Sequence, residues 1–389
     1  MKISVLVFAL LFSPQLSFAK PKSSSASPST SDVRSEMDQM LMRMQALRPF
    51  MVDRDKFEDK KNEGKIIENL DAMAKLVKNI KHTSITKAPG LRLSKQVLED
   101  HLADTARVFK VGNKDYARWA LNSTFSICMS CHTQSTSESR NWSLIGFKEF
   151  GNDFDHAEFL FAARDFDHAL EKYDLIIDGF PANKMRIMDL EKAISRKVAV
   201  FARVKRDFKG GLASVQKSQQ NKELPPYLSK NLLAWEATFR EAMKTPYPDP
   251  RESTDEQIRT YVEAEMKKGL WDKMIEASNP RLVTNLTVSG ILYEYLNLHP
   301  TTPLRPDILY WLALCDRSLN NNFFYSLSDL YLKECINDFP KSPVAKKCFE
   351  EYEANTTFSY TGSSGVHVPK NVRDELDTLR KKVNGPAKK

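Results

Sequence analysis

The sequence predicts an all-α protein in two parts: an N-terminal four-helix bundle and, after it, a solenoid of α-hairpins. Three observations carry this prediction. Only 13 glycines are spread over 389 residues, and runs of alternating β-branched residues are scarce, which disfavours sheet. Between Val33 and His132 apolar residues recur at spacings of three and four, the pattern of helices with one buried face. Beyond residue 150, paired helical segments repeatedly end at a proline. The chain is longer than one typical domain. Its 41% hydrophobic and 28% charged content fits a soluble globular protein.

Taken in order, the first element is an export signal over residues 1–19. Lys2 supplies the positive start, Ile3 to Phe12 a ten-residue apolar core, and Ser17-Phe18-Ala19 the small residues for cleavage near Ala19. That core is too short to span a bilayer, and no cysteine lies nearby to take a lipid anchor. The mature protein is therefore expected in the periplasm, with no transmembrane span. Residues 20–32, KPKSSSASPSTSD, read as a disordered leader.

Residues 33–140 hold the bundle. The first helix is expected over Val33 to Val52, with Met37, Met40, Leu41, Met44, Leu47 and Met51 on one face and Met42 pointing off it. The second covers Lys61 to His82 through Ile66, Leu70, Met73 and Val77. Pro89-Gly90 is read as a break, and Ser94 as the N-cap of a third helix that Gly112 and Asn113 close. The fourth begins near Lys114 and runs through Tyr116, Trp119, Ser123 and Ile127 into Cys128-Met129-Ser130-Cys131-His132. Four helices with short connections suggest an antiparallel bundle.

Residues 134–150 read as a connector, 151–244 and 257–355 as helical repeats, 245–256 (with TPYPDP) as a linker, and 356–389 as a polar tail with a short helix near Val372 to Val383. Ala157, Leu160, Ala169, Tyr173, Ile176 and Pro181 sit at the offsets of small and large positions in a repeating helix pair. A weaker copy follows through Ala199, Ala202, Phe208 and Pro225, and another through Trp311, Leu314, Cys315, Cys335 and Pro340. This region resembles tetratricopeptide repeats. Such units bury their apolar faces by stacking and present an extended surface to a partner protein.

The motif carries the chemistry. Covalent haem attachment needs two thiols placed to meet the two vinyl groups of the porphyrin, then an imidazole for the iron; Cys-x-x-Cys-His is that arrangement. Cys128 and Cys131 would form the thioethers to a single haem c, and His132 would be the proximal ligand. Zinc wants four ligands, often from a second short Cys/His pair, and Cys315, Cys335 and Cys348 form none. A thioredoxin-like site belongs in a βαβ setting. In an oxidising compartment one disulfide among the three later cysteines is expected. Both Cys335–Cys348, flanking a turn, and Cys315–Cys335, within one hairpin, stay open.

A Cys-x-x-Cys-His motif ending the fourth helix of a bundle resembles the cytochrome c-prime and cytochrome c-556 class, in which haem packs inside the four helices. Many members carry a basic or aromatic residue soon after the histidine, where this chain has Thr133, Gln134, Ser135 and Thr136. The resemblance places the sixth iron position opposite the first helix, with Met37 the first candidate ligand and Met40 the runner-up. Tyr116 and Trp119 are expected at the porphyrin edge, and Arg107 and Arg118 are candidates for its propionates. The leading function is a periplasmic mono-haem c-type cytochrome, a one-electron carrier docked to a protein partner through the repeats, with a homodimer through the bundle as a further association. The alternatives are a haem-based gas sensor with an open sixth position and a weak peroxidase, for which only His82 or His101 could act as distal acid–base group. The net charge of +8 is mixed along the chain, without a basic stripe interleaved with aromatics, which argues against nucleic acid. Nucleotide-binding glycine motifs are absent.

Overall fold

The computed structural model describes residues 29–80, 88–135, 151–182, 184–244, 246–268, 279–319 and 325–384. The export signal, residues 20–28 of the leader, His82 and all but the start of the connector lie outside the described residues. Among the described residues the regular elements are helical apart from a single hairpin of two-residue strands, Thr361–Gly362 against Gly365–Val366. None of the described helices is long and apolar enough to cross a membrane.

Helix α1 spans Ser29–Val52, and α2 is a short turn of helix at Arg54–Glu58, started by Asp53, whose carboxylate accepts from the Lys56 amide at 3.0 Å. In α3 (Glu63–Asn79), Ile66, Leu70, Met73 and Val77 recur every three or four residues and are all fully buried. Each such side chain contributes ~1.5–3 kcal/mol; Leu70→Ala would cost ~2–5 kcal/mol. Helix α4 runs Pro89–Lys110, so the expected start at Ser94 is corrected. Proline lacks the amide that the first turn cannot use, and its fixed φ suits the first helical position. Pro89 therefore opens the helix, and Ser94 is an interior, buried residue. Gly112, at φ +90°, ends α4 in a conformation that side chains resist. The side chain of Asn113 then caps α5 (Lys114–His132) by accepting from the Tyr116 amide. Helix α1 packs on α3, α3 on α4 and α4 on α5, and α5 also touches α1.

Helices α6 (Asp153–Ala162) and α7 (Phe166–Asp178) form a hairpin. Its small positions, Ala157 and Ala169, are fully buried, and Tyr173 fills the space they leave, donating to Glu158 at 2.5 Å. Helix α8 (Ile187–Ala199) widens into a π-helical stretch over Val200–Lys205, which ends at Arg206 in the left-handed region. Helices α9 (Phe208–Ser218) and α10 (Pro226–Ala242) follow as a second pair. The stretch expected as a linker is irregular, but Tyr247 within it packs edge-on to Phe208 at 5.4 Å. A Thr254/Gln257 capping box then starts α11 (Asp255–Lys267). Helix α12 (Leu282–Leu298) is buried on almost every side, touching α8, its π-helical end, α10 and α13 (Arg305–Leu319). Helices α14 (Ser328–Asp338) and α15 (Ala345–Ser359) are joined by the Cys335–Cys348 disulfide, which leaves Cys315 a buried thiol. The polar tail contributes α16 (Lys370–Asn384), docked on α14 and α15 through the buried Leu376 and Leu379.

The two halves of the sequence are not two bodies in space. Leu121 of α5 sits in the core of α1 to α4, Met129 in the core of α6 to α10, and Ile127 with Leu93 and Val97 of α4 in the core of α11 to α16. Arg92 of α4 ion-pairs with Glu334 of α14. The C-terminal half of the motif helix is thus embedded where three cores meet.

Candidate functional site

Residues four and three apart on a helix share a face. Cys128, Cys131, His132 and Ser135 are half-buried on one side of the end of α5, with the buried Ile127 beside them, while Met129, Ser130, Thr133 and Gln134 are buried away from them. The buried side is pinned from several directions. Ser130 donates to the Tyr325 carbonyl at 3.1 Å, Arg203 to the Thr133 hydroxyl at 3.4 Å, and Gln134 to the Ser94 hydroxyl at 2.9 Å. Thr133 and Gln134, the latter expected as the first residue of a connector, are anchors. They hold the final turn of α5, and with it the orientation of the three motif side chains.

The half-buried side faces a cavity of about 1070 Å³, at the upper end of the ~300–1,000 Å³ usual for cofactor pockets. Cys128, Cys131 and His132 line it from α5, and Met37, Met40 and Met44 from α1. Val77 and Ile80 at the end of α3 and Leu91 and Leu98 of α4 add apolar surface, and Phe125 and Phe159 bring in two rings whose centroids lie 6.0 Å apart. Three cations also reach it: Arg34, Lys95 and Arg164.

His132 Nδ1 lies 2.5 Å from the carbonyl oxygen of Ala162, an acceptor only. Nδ1 therefore carries the proton and donates, which leaves Nε2 with the lone pair that binds a metal. Burial pushes the Cys128 thiol up to about 12, with neighbouring Cys131 adding to the rise. Burial also lifts Cys131, to about 11, against the opposing pull of Arg164 and a hydrogen bond with Ser94. Neither is the low-pKa thiolate of a nucleophile or redox dithiol. An uncharged thioether suits such a wall better than a buried thiolate does. Among the described residues no three His, Cys, Asp or Glu side chains come together as a metal-holding group; an iron held in a porphyrin needs only axial ligands from the protein.

The structure brings together Cys128, Cys131, His132, Met37 and Met40, but not the expected aromatics. Tyr116 and Trp119 stack on each other at 5.5 Å on the outer face of α5, 45% and 63% exposed, and line no part of the cavity. They belong to the first turns of α5, ~13 Å (Trp119) and ~18 Å (Tyr116) of helix from Cys128; the aromatic rings that do line the cavity are Phe125 and Phe159. Arg107 and Arg118 are also absent from the cavity wall, and Arg107 pairs with Asp104 on the surface. His101 Nε2 lies 2.8 Å from the Ala120 carbonyl and 3.1 Å from the Thr124 hydroxyl, and burial lowers its pKa. It ties α4 to α5 and does not line the cavity. Lys95 could have been found from the helical pattern, since it follows Ser94 on the next face of α4. Arg164 and Phe159 could not, because nothing local in the sequence links them to the motif.

A haem makes three demands of a protein: an apolar slot of its own size, thiols and an imidazole on one wall, and cations for its carboxylates. The residues present meet all three. The chain matches no known family model, and no curated protein or solved structure is significantly similar to it.

Proposed function

We propose that the protein is an exported, periplasmic mono-haem c-type cytochrome that carries single electrons and docks a protein partner through its helical array. The observation that carries this reading is one cavity lined by Cys128, Cys131 and His132 from α5 and by Met37, Met40 and Met44 from α1. In this reading α1, α3, α4 and α5 are a haem-binding four-helix bundle, and the hairpins from α6 onward are a tetratricopeptide-like solenoid. Cys128 and Cys131 hold the haem c covalently, and His132 binds its iron. Haem supplies a one-electron couple when bound.

The chain's own residues set how that couple behaves. The Ala162 carbonyl fixes the His132 ring and raises its basicity as a ligand. Phe125, Phe159 and the aliphatic side chains of α3 and α4 keep water from the apolar faces. The methionines of α1 offer the thioether that favours electron transfer and raises the potential. Met40 and Met44 are buried, Met37 is half-buried and all three line the cavity, which supports them as candidates for that ligand. Stacked hairpins give the array a continuous surface for the partner.

The test is the mass of the protein purified from the periplasm of cells competent in haem attachment, followed by absorption spectra of the reduced form with and without carbon monoxide. A covalent haem adduct and a low-spin spectrum unchanged by the gas are expected. A protein of unmodified mass would overturn the reading. A high-spin spectrum that shifts with the gas would replace electron transfer by the gas-sensing function.

A further inference from the structure

The helices that carry the motif do not complete the cavity by themselves. One wall, Phe159, Ala162, Ala163 and Arg164, comes from α6 and the turn after it, the first hairpin of the array. That turn is held firmly. Arg164 donates its amide to Phe161 O at 3.0 Å, Asp165 donates to Leu160 O at 2.9 Å, and Arg164 has φ +67°. A non-glycine residue keeps such a backbone only where its surroundings enforce it. The hairpin is also tied to α1 and α5: Arg48 lies 3.3 Å from Asp155, and Phe125 packs edge-on to Phe159. His132 finds its orienting acceptor, Ala162 O, on this same turn.

We propose that the α6–α7 turn is a functional part of the haem site, with Arg164 holding a porphyrin carboxylate and the Ala162 carbonyl orienting His132, so that the array positions the cofactor and sets its potential. The inference rests on the haem reading and extends it to residues outside the motif helices. A guanidinium pairs with a carboxylate through two parallel hydrogen bonds, stronger than neutral ones and specific in direction. A fixed positive charge in a pocket of low dielectric also disfavours the more positive, oxidised iron. Arg164 is therefore a positioning residue with an electrostatic signature.

The experiment uses the full chain. Arg164→Asn removes the charge with a residue that tolerates the left-handed backbone, and Arg164→Lys keeps the charge but loses the fork. In the haem-loaded protein, R164N is expected to shift the ferric/ferrous equilibrium about tenfold toward ferric, ~59 mV for one electron, while R164K retains most of the wild-type potential. A merely structural role would lower the melting temperature and leave the potential in place. A second readout needs no covalent attachment. Protein made without haem maturation is titrated with iron protoporphyrin and with its dimethyl ester. Wild type is expected to bind the diacid about tenfold more tightly than the diester, and R164N, which keeps Arg34 and Lys95, to lose most of that preference. An unchanged potential in R164N would overturn the proposal, and so would a wild type indifferent to esterification. Absence of covalent haem from wild type would overturn the underlying haem reading instead, whatever the variants do.

Discussion

Removing the two thiols proposed to hold haem should loosen one helix and spare its neighbours. The perturbation is Cys128→Ala with Cys131→Ala in the full chain. At ~24 cal/mol per Å³, a dry pocket of about 1070 Å³ costs at most ~26 kcal/mol, more than the ~5–15 kcal/mol of a typical fold's net stability. The unliganded pocket cannot stay both dry and open, and apolar walls do not hold water well. Something must close or fray. The motif helix cannot, since its far side lies in three cores. Helix α1 can: residues 33–39 are exposed or half-buried, and Met40 and Met44 are the first buried side chains along it. Their burial is worth ~3–6 kcal/mol together. Losing about half of it, ~1.5–3 kcal/mol, speeds local amide exchange ~10- to 150-fold. Hydrogen exchange read by mass spectrometry should therefore show residues 33–44 deprotected in the variant, with 66–77 of α3 and all of α12 unchanged. Equal protection of α1 in the haem-loaded and thiol-less forms would refute the reasoning.

Reducing the Cys335–Cys348 disulfide, which closes a loop of sequence separation 13, should cost ~3 kcal/mol and lower the melting temperature by several degrees; an unchanged melt would mean that the docked α16 holds these helices alone. Arg203 and Asp316 are both buried, 3.9 Å apart, with Arg203 over the Tyr293 ring. Arg203→Met should cost ~3–5 kcal/mol by leaving Asp316 buried without its partner, and adding Asp316→Asn should recover part of that loss in a chemical melt; strict additivity of the two would deny the coupling. Tyr116→Ala and Trp119→Ala should leave the haem spectrum and potential unchanged, because both rings are exposed away from the cavity; a shifted Soret band would return them to the porphyrin. Asp165 raises the His168 pKa above its ordinary value, by hydrogen bond and then by charge. The pairing's stabilisation is thus fully present below the unfolded-state value of ~6.5 and is lost as pH rises through the folded one. An NMR titration should put the His168 midpoint above ~6.5, and Asp165→Asn should bring it down.

What could be read from the sequence is what repeats along it. Ile66, Leu70, Met73 and Val77 announce α3, and Ala157, Ala169 and Tyr173 announce the first hairpin, because one buried face leaves a period. Position 89 was misjudged for a local reason: proline ends helices and also begins them, and only the packing of α4 decides which. The π-helical stretch at Val200–Lys205 left no trace, since its wider turn is imposed by α12 packing against it. Thr133 and Gln134 misled most. The polarity of Gln134 reads as the start of a connector, yet Thr133 and Gln134 are 1% and 2% exposed, bonded to Arg203 and Ser94 from far along the chain. A helix buried on two sides shows its period poorly, because successive residues such as Ile127, Met129 and Ser130 are all inside for different neighbours.

That double burial bears on the function. A site on a free-standing bundle could be read from the bundle's own residues, and its partner-binding array would be a separate attachment. Here Arg203 reaches Thr133 from α8, the chain at Tyr325 takes the Ser130 hydroxyl, and the α6–α7 turn meets His132. A displacement of the array by a docked partner would be felt at these bonds, on either side of His132. A partner that moved the α6–α7 turn by even a few tenths of an ångström would lengthen the His132–Ala162 bond, since α5 is too firmly held to follow. The imidazole would then lose basicity, which is how an orienting partner tunes a metal ligand. If the proposed function holds, partner docking and reduction potential would be linked through the His132–Ala162 bond, and linkage runs both ways: a partner that prefers the reduced protein must also raise its potential.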